Sequence, residues 1–299
     1  MGRELAGGGD LHSGWEGPDH PYAGRMAALA TKHGKLPLIG PVLERAIGLK
    51  VIDAPVDTDV LGTFTGDVPR LGSPLETAIA KARLGMEAAG EELGLASEGS
   101  IGPDPSLPFV VSDEEIVVLV DDAAGLVVWE SVRSFDIVSV SAKVRPEEDL
   151  DALLSRAGFP AHMLTVRPNS GATRPIWKGI GSRADLEAAI GESAAVATDG
   201  LARVETDMRA HTCPSRREVI AEAARRLANR LAARCPLCEA PGWGNVDQIF
   251  GVPCSWCGTE VLLVRAEIRG CAACGFRSLK PIRGPQERAD PGQCPACNP

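Results

Sequence analysis

Eight of the chain's nine cysteines fall into four C-x2-C pairs: Cys235/Cys238, Cys254/Cys257, Cys271/Cys274 and Cys294/Cys297. The pairs are separated by 15, 13 and 19 residues. Each can form a knuckle that presents two thiolates to one tetrahedral Zn2+, and two knuckles close a site. Eight ligands therefore make two structural zincs. Sequential pairing, first with second and third with fourth, is the favoured arrangement and gives two ribbons. Nested pairing, middle with middle and outer with outer, is the alternative, with Thr259 to Arg269 as a hairpin inside one ribbon. Cys213 is left over before Pro214 at a helix start, and reads as a buried thiol rather than a nucleophile.

A second set of chemistry-bearing residues lies in SPLETAIAKARLGMEAAGEELGLASEGSIG, residues 73–102. Glu76 and Glu98 stand at either end of this stretch, with Lys81 one turn further along the helix from Glu76. Such a set could hold Mg2+ and a polyphosphate. Glu76 also has a purely structural reading: in a Ser-x-x-Glu capping box its carboxylate reaches back to the Ser73 N–H with no metal needed. Upstream, a strand breaks into Thr31-Lys32-His33-Gly34-Lys35 before a helix. That order suits a phosphate cradle, because backbone N–H groups at a helix start face the anion.

These residues must be positioned by regular elements. Strands are expected at 26–31 and 49–54, with a helix carrying Leu36, Ile39, Leu43 and Ala46 between them. Pro41 predicts a kink or a delayed start in that helix. A polar loop covers 55–72. The helix from Ser73 places Leu75, Ile79, Ala82, Met86 and Ala89 on one face. Leu93 to Ala96 is then a short strand that delivers Ser97-Glu98-Gly99-Ser100 into a tight turn. A hairpin follows at 115–130, a strand at 136–143, a helix from Pro146 to Phe159, and a strand at 162–166. A long loop at 167–181 leads to a short helix over 182–190. Short strands are expected at 194–198 and 202–207. If the second continues, Glu205, Asp207, Arg209 and His211 share one face. The longest helix, from Pro214 to Arg234, buries Ile220, Ala223, Leu227 and Leu231. Its Arg216, Arg217, Arg225, Arg226 and Arg230 form a solvated face.

The reading is an α/β protein with a mixed twisted sheet and flanking helices, followed by a small two-zinc ribbon module. Residues 1–20 form a disordered tail, 21–233 the α/β domain and 234–299 the zinc module. No apolar run approaches the ~20 residues of a membrane span, and the glycine-rich N-terminus has no apolar core of a secretory signal. The expected compartment is the cytoplasm, where cysteines point to metal before disulfides. The formal net charge of −9 argues against a general affinity for nucleic acid and gives no reason to expect a membrane partner.

The segment AALATKHGKLPLIGPVLERAIGLKVID, with LETAIAKARLGMEAAG and GLASEGSIG after it, resembles the inosine triphosphate pyrophosphatase superfamily. The resemblance implies that Thr31 and Lys35 meet phosphate, that Glu76 and Glu98 serve Mg2+ or the attacking water, and that Lys81 contacts phosphate. Ser97-Glu98 stands where those enzymes usually carry adjacent aspartates. Ser215-Arg216-Arg217 is similar to their late Ser-His-Arg element, which adds Arg217 to the phosphate-binding set. Arg209, with His211 beside it, would stabilise charge on the leaving pyrophosphate. The whole chain also resembles a bacterial domain-of-unknown-function family, through the SEGS turn, ETDMRAHTCPSRR and the C-terminal cysteine pairs. The expected function is Mg2+-dependent hydrolysis of a nucleotide or related phosphoanhydride, such as a non-canonical nucleoside triphosphate. Glu98, Glu76 and Lys35 would be the catalytic set. The alternative is a non-catalytic nucleotide- or RNA-binding zinc-ribbon protein on an enzyme-derived fold. A homodimer is left open.

Overall fold

Strand β1 (Met26–Ala30) lies at the centre of the functional architecture. In the computed structural model, which describes residues 20–61, 72–282 and 287–298, β1 pairs in parallel with β2 (Lys50–Asp53) and with β3 (Leu93–Pro103). Strands β4 (Val111–Asp121) and β5 (Leu126–Ser134) extend the sheet antiparallel, giving the order β2-β1-β3-β4-β5. The expected N-terminal tail lies outside the described residues except for His20, which is buried with its Nε2 3.0 Å from the Leu231 carbonyl; most of the polar loop at 55–72 also lies outside them.

Helix α1 (Leu36–Ile47) connects β1 to β2, and α2 (Pro74–Ala89) connects β2 to β3. They cover opposite faces. Ile39 and Leu43 of α1 pack with Leu93, Leu95, Val117 and Leu119, while Ala78 and Ala82 of α2 pack with Ala96, Val118 and Val120. The period-two alternation of strand side chains sends these odd- and even-numbered residues to opposite sides. Pro41 lies inside α1 without interrupting it. The longest helix, α5 (Pro214–Ala232), joins α1 on the odd face, with Ile220, Ala223, Leu227 and Leu231 in the core as expected.

The remaining α/β residues build a second sheet rather than extending the first. β6 (Ser141–Val144), β7 (Leu164–Pro168), β8 (Trp177–Ile180) and β9 (Ala202–Thr206) pair antiparallel in the order β6-β9-β7-β8. Helices α3 (Asp151–Ala157) and α4 (Arg183–Val196) share their own core with it. Several local expectations change: the strand expected at 136–143 is confined to Ser141–Val144, and the helix expected from Pro146 to Phe159 to Asp151–Ala157. The helix expected to stop at Ile190 runs on to Val196, so no strand forms at 194–198. β8 occupies the segment read as loop. β9 ends at Thr206, and Asp207 to Thr212 curls into a turn in which the Thr212 hydroxyl donates to the Asp207 and Arg209 carbonyls. The row Glu205–Asp207–Arg209–His211 therefore never shares one strand face.

A third sheet, β10 (Gly244–Pro253), β11 (Glu260–Gly270) and β12 (Arg277–Pro281), is an antiparallel meander carrying the cysteine pairs. Five α-helices are present among the described residues, and none is long and apolar enough to cross a membrane.

Candidate phosphate crevice and metal centres

Ala30, the last residue of β1, pairs with Ala96 of β3. Beyond that pair β3 has no strand neighbour on this side among the described residues, because the chain leaves the sheet as Thr31–Lys35. A small cavity opens there, of about 40 Å3. It lies at the carboxyl end of β1, where successive crossovers depart to opposite faces, which is where open α/β sheets place ligands.

β3 itself is a correction to the expected short strand and turn. It continues extended through Pro103. Ser97 and Glu98 are thus consecutive strand residues, buried rather than displayed on an exposed loop. Ser97 faces α1, where its Oγ lies 2.8 Å from the buried Lys35 Nζ. Glu98 faces α2, and its Oε2 accepts from Lys81 Nζ at 2.7 Å. Both side chains border the gap that β1 leaves. Gly99 comes next, and a Cβ there would collide with the Glu115 carboxylate and the Arg216 guanidinium.

Arg216 is only 1% exposed, which corrects its assignment to a solvated helix face. It ion-pairs with Glu115 and donates to the Met208 carbonyl at 2.6 Å. Its position was legible: Arg216 stands four residues before Ile220, in phase with the buried stripe of α5. Asp113 and Glu115 were missed as well. They are two apart on β4, on the face carrying Val117 and Leu119, and both are fully buried. Burial, and then the neighbouring Glu115 charge, push the Asp113 carboxyl up to about 7. Burial and the nearby Arg216 push Lys35 down to about 8. Burial, then Lys35, lowers His33 to about 4, so its imidazole is neutral at pH 7. Burial alone would lower Arg216, but the Glu115 charge holds it above the ordinary arginine value.

The cavity wall carries Lys32, Lys35, Lys81 and Arg216 against one carboxylate, Glu98, with hydroxyls from Thr31, Thr58 and Ser97. Of the residues expected at the catalytic and phosphate-binding site, the structure brings together Thr31, Lys35, Lys81 and Glu98. Glu76 is not among them. Its carboxylate accepts from the Ser73 N–H at 2.7 Å and the Ser73 hydroxyl accepts from its N–H, a complete capping box. It borders a separate groove with Val60, Ile79 and Arg83. Arg209 pairs with Asp207 at 2.6 Å and lines a different cleft with Arg167 and Glu205. Arg217 is absent from the cavity wall, where its neighbour Arg216 takes the place. The exposed His211 ring lies tilted 31° to that of His33, with centroids 5.2 Å apart.

This donor set does not fit the expected Mg2+. A hard cation needs several oxygen ligands and usually one or two free carboxylates. Here the second glutamate is elsewhere and the first is engaged by Lys81; the other wall residues offer hydroxyls and cations, Lys32 paired with Asp57 and Arg216 with Glu115.

The cysteines form two compact groups, Cys235/Cys238/Cys271/Cys274 and Cys254/Cys257/Cys294/Cys297. The knuckles alternate, first with third and second with fourth, which is neither the sequential nor the nested arrangement. The sheet imposes this. In an antiparallel meander, successive turns fall at opposite ends, so the knuckles before β10 and after β11 meet at one end, and those after β10 and after β12 at the other.

The sulfurs are spaced for metal. Tetrahedral bonds of ~2.3 Å from Zn2+ to sulfur put neighbouring sulfurs about 3.8 Å apart. The cross-knuckle Sγ···Sγ distances are 3.8 and 3.7 Å in one group and 3.8 and 3.6 Å in the other. The Leu237 and Trp256 N–H groups point at Cys235 and Cys254 sulfur, each at 3.4 Å, which suits thiolates. Gly258 and Gly275 turn back with φ +76° and +72° just after their knuckles, a conformation open to glycine. Glu239 adopts φ 59° at the equivalent position of the first. Two four-cysteine groups able to bind zinc are therefore present. Cys213 is buried at the N-cap of α5.

The architecture is thus a mixed α/β protein with a C-terminal module built on two tetracysteine centres. Residues 81–299 match the family described as Domain of unknown function (DUF6671), and the chain belongs to that family. The matched region holds Lys81, Ser97, Glu98, Asp113, Glu115, Arg216 and all eight knuckle cysteines. No curated protein matches the chain.

Proposed function

We propose that this protein binds a nucleotide or related phosphoanhydride, seating a terminal phosphate in the crevice between β1 and α1, and that hydrolysis of the anhydride is the reaction the seat serves. The observation that supports this reading is the cavity wall itself: Lys35 with three hydroxyls, and three further cations each held in place by a carboxylate, Lys32 by Asp57, Lys81 by Glu98 and Arg216 by Glu115. A volume of about 40 Å3 suits one tetrahedral oxyanion entered end-on, with the remainder of the ligand outside. Preorganised cations in a water-poor site are worth more to a phosphate than the same groups in water.

The two tetracysteine groups are read as structural zinc sites that fold the ribbon, which suits a reducing compartment such as the cytoplasm. The likeness of residues 27–102 to inosine triphosphate pyrophosphatases is the reason to test inosine and xanthosine triphosphates. With Glu98 the one carboxylate in the cavity wall, no step is assigned to a protein-bound metal.

The test is calorimetric titration of the zinc-loaded chain with pyrophosphate and with adenosine, inosine and xanthosine triphosphates, followed by assay of released phosphate and pyrophosphate. Binding that weakens about tenfold or more in Lys35→Met and Lys81→Met supports the seat. Wild-type protein that binds none of these anions refutes it.

A further inference from the structure

We propose that Ser97 and Lys35 form a nucleophile–base pair that takes a phosphoryl group from the anhydride, through a covalent phosphoserine at Ser97. This rests on the phosphate-seat reading above and names the groups that would do its chemistry. The Ser97 Oγ lies 2.8 Å from Lys35 Nζ, within the range where a base can take a hydroxyl proton. Both side chains are buried and border the same cavity. Serine is a weak nucleophile unless an adjacent base activates it, and lysine serves as that base when its surroundings favour the neutral amine. Those surroundings are on the page. Lys35 Nζ is buried; burial, Arg216 and Lys81 lower its pKa against the opposing charges of Glu115 and Glu98, to about 8, so near neutral pH a minor fraction is uncharged.

The other cavity groups have complementary tasks. Lys81 is aligned by Glu98, and Arg216 by Glu115 and the Met208 carbonyl. They hold cationic character against the oxygens on which charge develops. Neutral Lys35 accepts the Ser97 proton as the Oγ–P bond forms and the anhydride P–O bond breaks. The same proton then passes from Lys35 to the leaving oxygen. In the second half, water attacks phosphorus and gives its proton to Lys35. The Oγ–P bond breaks, Ser97 recovers a proton from Lys35, and inorganic phosphate leaves. No electrons are exchanged and no co-reactant beyond water is needed.

The experiment uses the zinc-loaded full chain. It is mixed with adenosine, inosine and xanthosine triphosphates labelled on the terminal phosphoryl group, quenched in acid, and digested for peptide mass analysis. The expected result is one phosphoryl group on the peptide carrying Ser97, formed faster as pH rises toward about 8 and level above it. Ser97→Ala abolishes the adduct while still binding the imido analogue of the triphosphate. Lys35→Arg, which keeps the charge and loses the base, slows adduct formation about a hundredfold. Ser97→Thr, which keeps the hydroxyl, retains a labelled adduct and guards against loss of fold in the alanine variant. Tight binding of the imido analogue with no Ser97 adduct at any pH overturns this proposal and leaves the phosphate seat standing. Turnover unchanged in Ser97→Ala overturns it equally. Failure to bind any of these anions sinks both readings.

Discussion

Replacing two knuckles at a time tests the alternating cysteine arrangement directly. Strand β10 has ten residues, and at ~3.4 Å per residue it separates its two ends by about 30 Å. No knuckle at one end can lend a sulfur to the other. A complete tetrathiolate site contributes about 10–16 kcal/mol of metal binding, and halving its ligands leaves on the order of half, a Kd no tighter than about 1 μM. Such a half-site empties on gel filtration with a mild chelator. The first variant carries serine at Cys235, Cys238, Cys271 and Cys274. It removes one site whole, and should keep one tightly bound zinc at Cys254, Cys257, Cys294 and Cys297. The second carries serine at Cys235, Cys238, Cys254 and Cys257, and the third at Cys254, Cys257, Cys271 and Cys274. Each of these halves both sites and should hold no zinc after chelator. Zinc per chain is read by plasma mass spectrometry. One tight zinc in the second variant and none in the first would establish sequential pairing. The same result in the third would establish nested pairing. Either outcome refutes the meander argument.

Three further outcomes follow from the α/β body. Arg216→Met leaves Glu115 buried without its partner, at a cost of about 3–5 kcal/mol. The urea midpoint should fall accordingly, and should recover in large part in Arg216→Met/Glu115→Gln, where the orphaned charge is gone. Asp113, raised to about 7 in the folded chain, binds its proton more tightly there than unfolded, where an aspartate titrates near about 3.9. Its contribution is therefore full below the unfolded value and is lost as pH rises toward 7. Urea unfolding from pH 4 to 8 should show this decline, and Asp113→Asn should flatten it. Glu76→Ala should lower the melting temperature slightly through the lost cap of α2 and leave pyrophosphate affinity unchanged. A large loss of affinity would return Glu76 to the binding set.

Much of this structure was legible where local rules decide. The C-x2-C spacing singled out the eight cysteines that gather into two groups able to bind zinc, because a knuckle is a local device. Ser73-x-x-Glu76 identified the start of α2 for the same reason. What the residues could not disclose was which knuckles meet, since that depends on how many strands lie between them. The spacers of 15 and 13 residues did hold a clue: each is long enough for a full strand, and one strand between consecutive knuckles forbids sequential pairing. The turn expected at Ser97–Ser100 failed for a tertiary reason. Glycine at position 99 signals a turn locally, but here it makes room for the Glu115–Arg216 pair within a continuous strand. Arg216 was misplaced because arginine is rarely buried. The stripe of α5 placed it correctly, whereas its residue type argued otherwise.

The position of the crevice follows from one mismatch of lengths. β1 has five residues and β3 has eleven, so β3 must run past its parallel neighbour. In a strand paired on both sides, Ser97 and Glu98 would address two separate cores, because successive side chains point to opposite faces; here only the β4 side is paired. Past the end of β1 the two faces are no longer divided, and Ser97 and Glu98 border a single gap. Each then brings a lysine from its own side, Lys35 at the start of α1 and Lys81 from α2. Neither lysine could reach the other's partner through an intact sheet. Lengthening β1 by pairing Thr31 and Lys32 against β3 would close the cavity while leaving every wall residue in the sequence. The chain prevents this with Gly34, whose φ of +62° turns the backbone out of the sheet and into α1.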